Sequence, residues 1–363
     1  MAEQFPFPIA PHTYFAVRNK QDERHKFLTS EVSEPFFVYG PSFDETRITK
    51  YLAQTHPDST AAKLLLLILA AARLQNDESA LEEFRQANLQ LTNAPRKEYV
   101  MAILDLISRK VTPETQYLWD EVLEMTGRIT KSQAIVMPSS ELFDRYRSYL
   151  EKYISAPLTD EESVAGLIEK HLESTGLKSK GWSVKQRHDT GAAHTNHRVK
   201  RISIGESYQP RTTLAKKLIV VHEVYGHALR GQQQSAIESE GFAVVLEQLI
   251  DSRFKYRRSY RYLAVSLGWG ATGRAMSFRQ VFEILWRVMM IRGGYTRELA
   301  RTHAFDECCR AFRGGRPDVP GAVYLKDSVY FDANIAMWNM LIDRELSYNE
   351  FVDTIEGRRV LLV

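Results

Sequence analysis

Through the first third of the chain, apolar residues recur at three- and four-residue steps. They run through AAKLLLLILAAARL (Ala61–Leu74), SALEEFRQANLQL, RKEYVMAILDLISRK and ELFDRYRSYLEKYI, with Pro95, Pro113 and Pro138 between them. That period and punctuation predict successive helices. Asp58 and Ser59 stand where caps for the first of these belong. At 14 residues that helix falls short of the roughly 20 needed to span a bilayer, so it reads as core. The proline-rich FPFPIAPHTYF before it reads as extended.

From Trp182 the pattern changes. HRVKRISIGES alternates apolar and polar residues, predicting a strand with Ile202 and Ile204 on one face. QPRTT breaks it, and Thr212 or Thr213 can cap a helix carrying VVHEVYGHALRG, which Gly231 stops. A second helix, IESEGFAVVLEQLID, follows. SFRQVFEILWRVMMI opens with a Ser277–Gln280 capping box and is apolar enough for core. GAVYL (Gly321–Leu325) reads as one more short strand. In SAPLTDEE (Ser155–Glu162), Thr159 and Glu162 form a capping box, placing a boundary there. The expected fold is mainly α with a small β-sheet, as a helical N-terminal lobe (1–155) and a second lobe (156–363).

With 363 residues, 44% of them hydrophobic, the chain can bury two cores. A net charge of +3 gives no reason to expect nucleic acid or membrane as partner. Met1–Arg18 has no apolar stretch behind a basic start, so no secretion signal is expected. The two cysteines, Cys308 and Cys309, are adjacent. A disulfide between neighbours is strained, and buried thiols in a reducing cytoplasm are the expectation.

The chemistry concentrates in VVHEVYGHALRG. His222 and His227 are five residues apart, with Glu223 directly after the first. On a regular α-helix that step rotates a side chain by about 140°, so the two rings could not share a metal about 2 Å from each nitrogen. A π-bulge brings i and i+5 to one face, and such bulges concentrate at functional sites. Gly226, between the rings, eases the distortion. The spacing therefore predicts a deformed helix around a single metal ion. A third ligand is sought on the next helix. Glu240 and Glu247 lie seven apart on one face while Glu238 points elsewhere. Glu240, nearer the hairpin, is the expected ligand, and Glu247 is placed to receive the N–H of a ligating histidine. Glu223 would serve as general base toward a zinc-activated water.

HEVYGHALR followed by SEGFA resembles the HExxxH zinc metallopeptidases related to the microtubule-associated tyrosine carboxypeptidase, whose bacterial relatives are named for a Q-E-G-L-A motif. CRAFRGGRPDVPGAVYLKDSVYFDANIAMW is similar to a further segment of that family, so the resemblance runs from about Lys200 onward. It implies a zincin-like catalytic lobe, one zinc ion on His222, His227 and Glu240, and Glu223 as the catalytic glutamate. The implied activity is release of a C-terminal tyrosine or phenylalanine from peptide or protein C-termini. Ser239 and Phe242 replace the family's Gln and Leu around the third ligand, and Leu325 replaces a usual Thr before Lys-Asp. Tubulin specificity does not transfer with these motifs.

Within the matching segment, Arg313 and Lys326 are candidates for the substrate's terminal carboxylate. Tyr330 is the candidate donor to the oxyanion, on a helix expected to carry Lys326 as well; Tyr324 is second. Asp327 reads as an orienting or capping residue. RHDTGAAHTNHR, with His188, His194 and His197, reads as a polar loop near the cleft rather than a second metal site. DSRFKYRRSYRYL (Asp251–Leu263) reads as an amphipathic helix rather than a nucleic-acid surface. The alternatives to a carboxypeptidase are another zinc peptidase (aminopeptidase or endopeptidase) and an inactive zinc-retaining binding protein.

Overall fold

The computed structural model describes residues 24–29, 45–57, 59–74, 79–158, 163–187, 193–206, 208, 210, 212–231, 236–251, 259–313 and 315–361. Its helices are α1 (24–29), α2 (Glu45–Gln54), α3 (Thr60–Arg73), α4 (Ala80–Leu89), α5 (Lys97–Ser108), α6 (Gln116–Thr126), α7 (Ser140–Tyr153) and α8 (Val164–Ser174). Strands β1 (Ser183–Arg187), β2 (Ala193–Asn196) and β3 (Arg201–Gly205) come next, then α9 (Thr213–Val220), a π-helix (Val221–Ala228) and α10 (Ala236–Ile250). The chain continues through α11 (Ser259–Trp269), α12 (Phe278–Ile291), α13 (Arg297–Ala311), α14 (Val329–Arg344) and α15 (Tyr348–Ile355). The fold is mainly helical with one small mixed sheet. No helix among the described residues is long and apolar enough to cross a membrane.

Local capping follows the sequence closely. Ser59 Oγ accepts from Ala62 N at 3.1 Å and Thr212 Oγ1 from Ala215 N at 3.1 Å. The Ser277–Gln280 box is complete. Thr159 and Glu162 lie outside the described residues, and α8 is capped instead by Ser163, whose Oγ accepts from Gly166 N at 3.1 Å. The Phe5–Phe15 segment and most of the basic Asp251–Leu263 stretch also lie outside them, α11 starting at Ser259.

The chain forms two compact units that interleave in sequence. One comprises Met1–Ile135 with Arg258–Ser328, the other Val136–Arg257 with Val329–Val363. A single division at 155/156 follows chain order, whereas these units do not. The reason lies in the later helices, since α12 packs on α6 and α11 on α5.

In the first unit, Phe27 meets the edges of Phe278 and Phe282 at 5.3 and 4.9 Å, an aromatic nucleus for α1 and α12. Cys308 and Cys309 are buried in α13. Gly321–Leu325 is not a strand. Asn88 Nδ2 donates to Val323 O at 3.2 Å, Leu325 N donates to Asn88 Oδ1 at 3.0 Å, and Tyr324 N donates to Ala311 O at 2.7 Å. These partners take the backbone groups a ladder would have used. A short 3-10 turn, Leu325–Ser328, follows and ends where α14 begins, so Lys326 and Tyr330 do not share one regular helix.

In the second unit, β3 is central: β1 pairs with it in parallel and β2 antiparallel. Residues 193–196, expected within a polar loop, are therefore the edge strand β2. Thr195 pairs with Ile202 and Ala193 with Ile204, so these four share one face. His194 is exposed on the opposite side. Against α10 lie both the π-helix and α14. Glycine permits each approach. A Cβ on Gly226 would lie 2.5 Å from Ala243 Cβ, and one on Gly241 would lie 2.4 Å from Ala333 O. A buried amide pair joins α10 to α14, Gln248 Nε2 donating to Asn334 Oδ1 (3.0 Å) and Asn334 Nδ2 to Gln248 Oε1 (2.8 Å).

Candidate metal centre

The turn that carries the histidines is widened. Val221–Ala228 is a π-helix, and Leu229 N donates to Val224 O, five residues back, at 2.9 Å. This is the deformation that the five-residue spacing demands. The two rings meet at a centroid distance of 4.7 Å, nearly perpendicular, with Nε2 atoms 3.1 Å apart. From the adjacent helix, Glu240 Oε2 lies 3.5 Å from each of those nitrogens. His222, His227 and Glu240 thus form a candidate metal-binding group, the one such group among the described residues.

Three features fit this triangle to a cation. A circle through atoms separated by 3.1, 3.5 and 3.5 Å has a radius of about 2.0 Å, the length of a metal–nitrogen or metal–oxygen bond. Glu240 Oε2 is buried with no hydrogen-bond partner among the described residues, 3.5 Å being beyond hydrogen-bond range. The outward nitrogens have partners beside them: His227 Nδ1 is hydrogen-bonded to Ser239 Oγ at 2.8 Å, and His222 Nδ1 lies 2.7 Å from Glu247 Oε1 as an ion-pair contact. Both Nε2 atoms consequently face inward, toward the carboxylate.

The electrostatics favour positive charge here. Burial pushes the His222 imidazole down, but the carboxylates of Glu240, Glu247 and Glu223 outweigh it and raise it to about 10. Burial pushes the Glu240 carboxyl up, yet His227 and His222 hold it well below the usual range. Three carboxylates around two imidazoles make a pocket that stabilises a cation.

Glu223 is buried on the same widened turn, and its Oε2 accepts from Thr195 Oγ1 of β2 at 2.6 Å. Tyr225 anchors the far side of the turn. Its hydroxyl meets His171 Nδ1 of α8 at 2.8 Å, and burial pushes it up to about 12. Glu238 points away from the triad, accepting from Arg230 Nη2 at 3.0 Å and from Leu361 N at 2.9 Å. Arg230 also lies over the Phe242 ring at 4.3 Å.

The structure thus brings together His222, His227, Glu240, Glu223 and Glu247. Tyr330 belongs to the same unit, in the first turn of α14. Arg313 and Lys326 belong to the other. Arg313 is buried, donates to Asp327 Oδ1 at 3.0 Å and covers the Tyr324 ring at 4.5 Å. Lys326 is exposed. His197 packs edge-on against Trp182 at 5.3 Å; burial pushes it down, and His227 and His194 add to that. His188 lies outside the described residues. In the sequence Thr195 carries no role, and Ser239 is marked only as the residue in place of the family's Gln, not as a partner of His227. Thr195 is visible there only as one inward position of a two-residue alternation.

Comparison of the chain with protein-family models, with curated proteins and with solved structures finds no match in any of the three.

Proposed function

We propose that the chain is a zinc metallopeptidase of the HExxxH type that its motifs resemble, acting as a carboxypeptidase on C-terminal tyrosine or phenylalanine. The observation that carries this reading is the triangle of His222 Nε2, His227 Nε2 and Glu240 Oε2 with a buried glutamate, Glu223, on the same widened turn. Two imidazoles and one carboxylate are a donor set of catalytic zinc, which keeps a fourth position open. When bound, zinc supplies a Lewis acid and lowers the pKa of water at the site. Glu223 takes a proton from the attacking water and delivers it to the leaving amine nitrogen. Tyr330 donates its phenol hydrogen to the developing oxyanion. Of the two basic candidates for the terminal carboxylate, Lys326 is exposed, while Arg313 is buried and donates to Asp327. The outer edge of β2 supports a peptide lying alongside the site, since β3 is paired on both sides and cannot take one.

The test is metal analysis alongside peptide hydrolysis. One equivalent of zinc is expected, together with free tyrosine or phenylalanine from N-acetylated peptides and none from C-terminally amidated ones. Cleavage of the amidated peptides instead would favour an aminopeptidase or endopeptidase. Zinc retained with no cleavage of any peptide would favour a binding protein. Turnover surviving Glu223→Gln would overturn the role of that residue.

A further inference from the structure

We infer that Thr195, on the edge strand β2, is the positioning residue for Glu223. The inference rests on the peptidase reading above for its kinetic consequence, but its geometric basis stands independently.

The hydroxyl of Thr195 reaches two oxygens of the same residue, Glu223 Oε2 at 2.6 Å and Glu223 O at 3.2 Å. A hydroxyl carries one hydrogen. The shorter contact takes it, since 2.6 Å is the distance of a strong O–H···O bond and 3.2 Å lies beyond the usual range for one. The carboxylate is thereby pinned by one oxygen. Oε1 is left to accept a proton, and Oε2 is committed to the strand. Glu223 is only 6% exposed, so little solvent is at hand to replace the bond if it is removed.

The fold explains how a residue 28 positions earlier reaches the motif. Along β2 the side chains alternate, with Ala193 and Thr195 inward and His194 and Asn196 exposed. Thr195 sits opposite Ile202 of β3, on the face whose Ile202 and Ile204 are buried. β2 packs directly on the π-helix. The strand that borders the site therefore also sets the orientation of its base. A β-branched residue suits this position twice over: it favours the strand, and its restricted χ1 aims the hydroxyl.

A general base must stand within hydrogen-bond reach of the proton it takes, and a displacement of about 1 Å costs on the order of 100-fold in rate. Thr195→Val keeps the shape and deletes the hydroxyl. The expected result is a fall in kcat per zinc-loaded molecule of about 10- to 100-fold, with KM and zinc content unchanged, some loss of thermal midpoint from the lost buried bond, and recovery in Thr195→Ser. A merely structural tie would lower the midpoint and zinc content together and leave kcat per zinc-loaded molecule alone. Wild-type kcat in Thr195→Val overturns the inference. Thr195→Ala gives a second hydroxyl-free variant should valine disturb the sheet.

Crystal structures of the metal-free full chain supply a readout that does not depend on activity. The Glu223 carboxylate is expected to leave its wild-type position in Thr195→Val and to keep it in Thr195→Ser. An unmoved carboxylate in Thr195→Val overturns the inference. A wild-type protein that hydrolyses no peptide would sink the peptidase reading, and the crystallographic comparison would still decide the role of Thr195.

Discussion

Replacing Gly226 by alanine tests whether the close approach of two helices holds the metal triangle together. In an unconstrained helix, glycine to alanine stabilises by about 1 kcal/mol. Here the added methyl would lie 2.5 Å from the β-carbon of Ala243 and 2.8 Å from its α-carbon, against an optimal carbon–carbon separation of about 3.5–4.0 Å. Overpacking costs about 1–3 kcal/mol. A shortfall of about 1 Å against two carbons that cannot rotate away puts this case near the upper end. The clash wins, with a net loss of about 2 kcal/mol, or about 4–8 °C in Tm for a unit of this size. His222 and His227 lie on one side of this approach and Glu240 on the other. Parting the helices therefore lengthens the two 3.5 Å sides of the triangle, and zinc affinity should fall about ten-fold or more. Thermal unfolding with and without zinc, together with a competition titration, measures both. Adding Ala243→Gly should restore only part of the loss, because the backbone α-carbon at position 243 would still stand 2.8 Å from the new methyl. A Gly226→Ala protein with unchanged or raised Tm and unchanged zinc affinity would refute the reasoning.

Other expectations can be checked on the same protein. His227→Ala and Glu240→Ala should each lose stoichiometric metal by elemental analysis while keeping the far-UV circular dichroism of the wild type, since each removes one corner of the triangle. Asp327→Ala should cost about 3–5 kcal/mol in urea unfolding, because it strands the buried Arg313. Acidification probes the same residue: burial pushes the Asp327 carboxyl up, but Arg313, Arg310 and Arg261 outweigh it and hold it below the usual range. With a folded pKa below the unfolded value of about 3.9, its contribution is complete above about pH 5 and is lost as pH falls through the folded value. Wild-type stability should therefore drop on acidification below about pH 5, with a flatter profile in Asp327→Ala. Asn334→Leu removes the acceptor of Gln248 Nε2 and should cost about 1–3 kcal/mol in urea unfolding; adding Gln248→Leu should recover little of it, because buried Trp338 Nε1 then loses the Gln248 Oε1 to which it donates at 2.6 Å.

The features legible in the sequence are those whose cause is local. A metal shared by residues five apart on one helix requires a widened turn whatever surrounds it, and the π-helix is there. Thr212 and the Ser277–Gln280 box cap the helices they precede for reasons contained within four residues. Gly226 was legible only by half. Its missing side chain eases the distortion, but the approach of Ala243, 17 residues on, is the stronger demand, and no periodicity announces it. GAVYL has the composition of a strand and is not one, because Asn88 satisfies its backbone from 235 residues away. The polar stretch around His194 lacks that composition and yet forms β2, because its ladder is supplied by β3. A two-residue alternation states which side chains share a face. Which strand lies at the edge, and which hydroxyl therefore meets Glu223, is decided by pairing between segments and by what packs beneath them. The candidate metal-binding group could be read from spacing on one pair of neighbouring helices. Thr195, whose hydroxyl meets Glu223, could not, since it reaches the site only through the sheet.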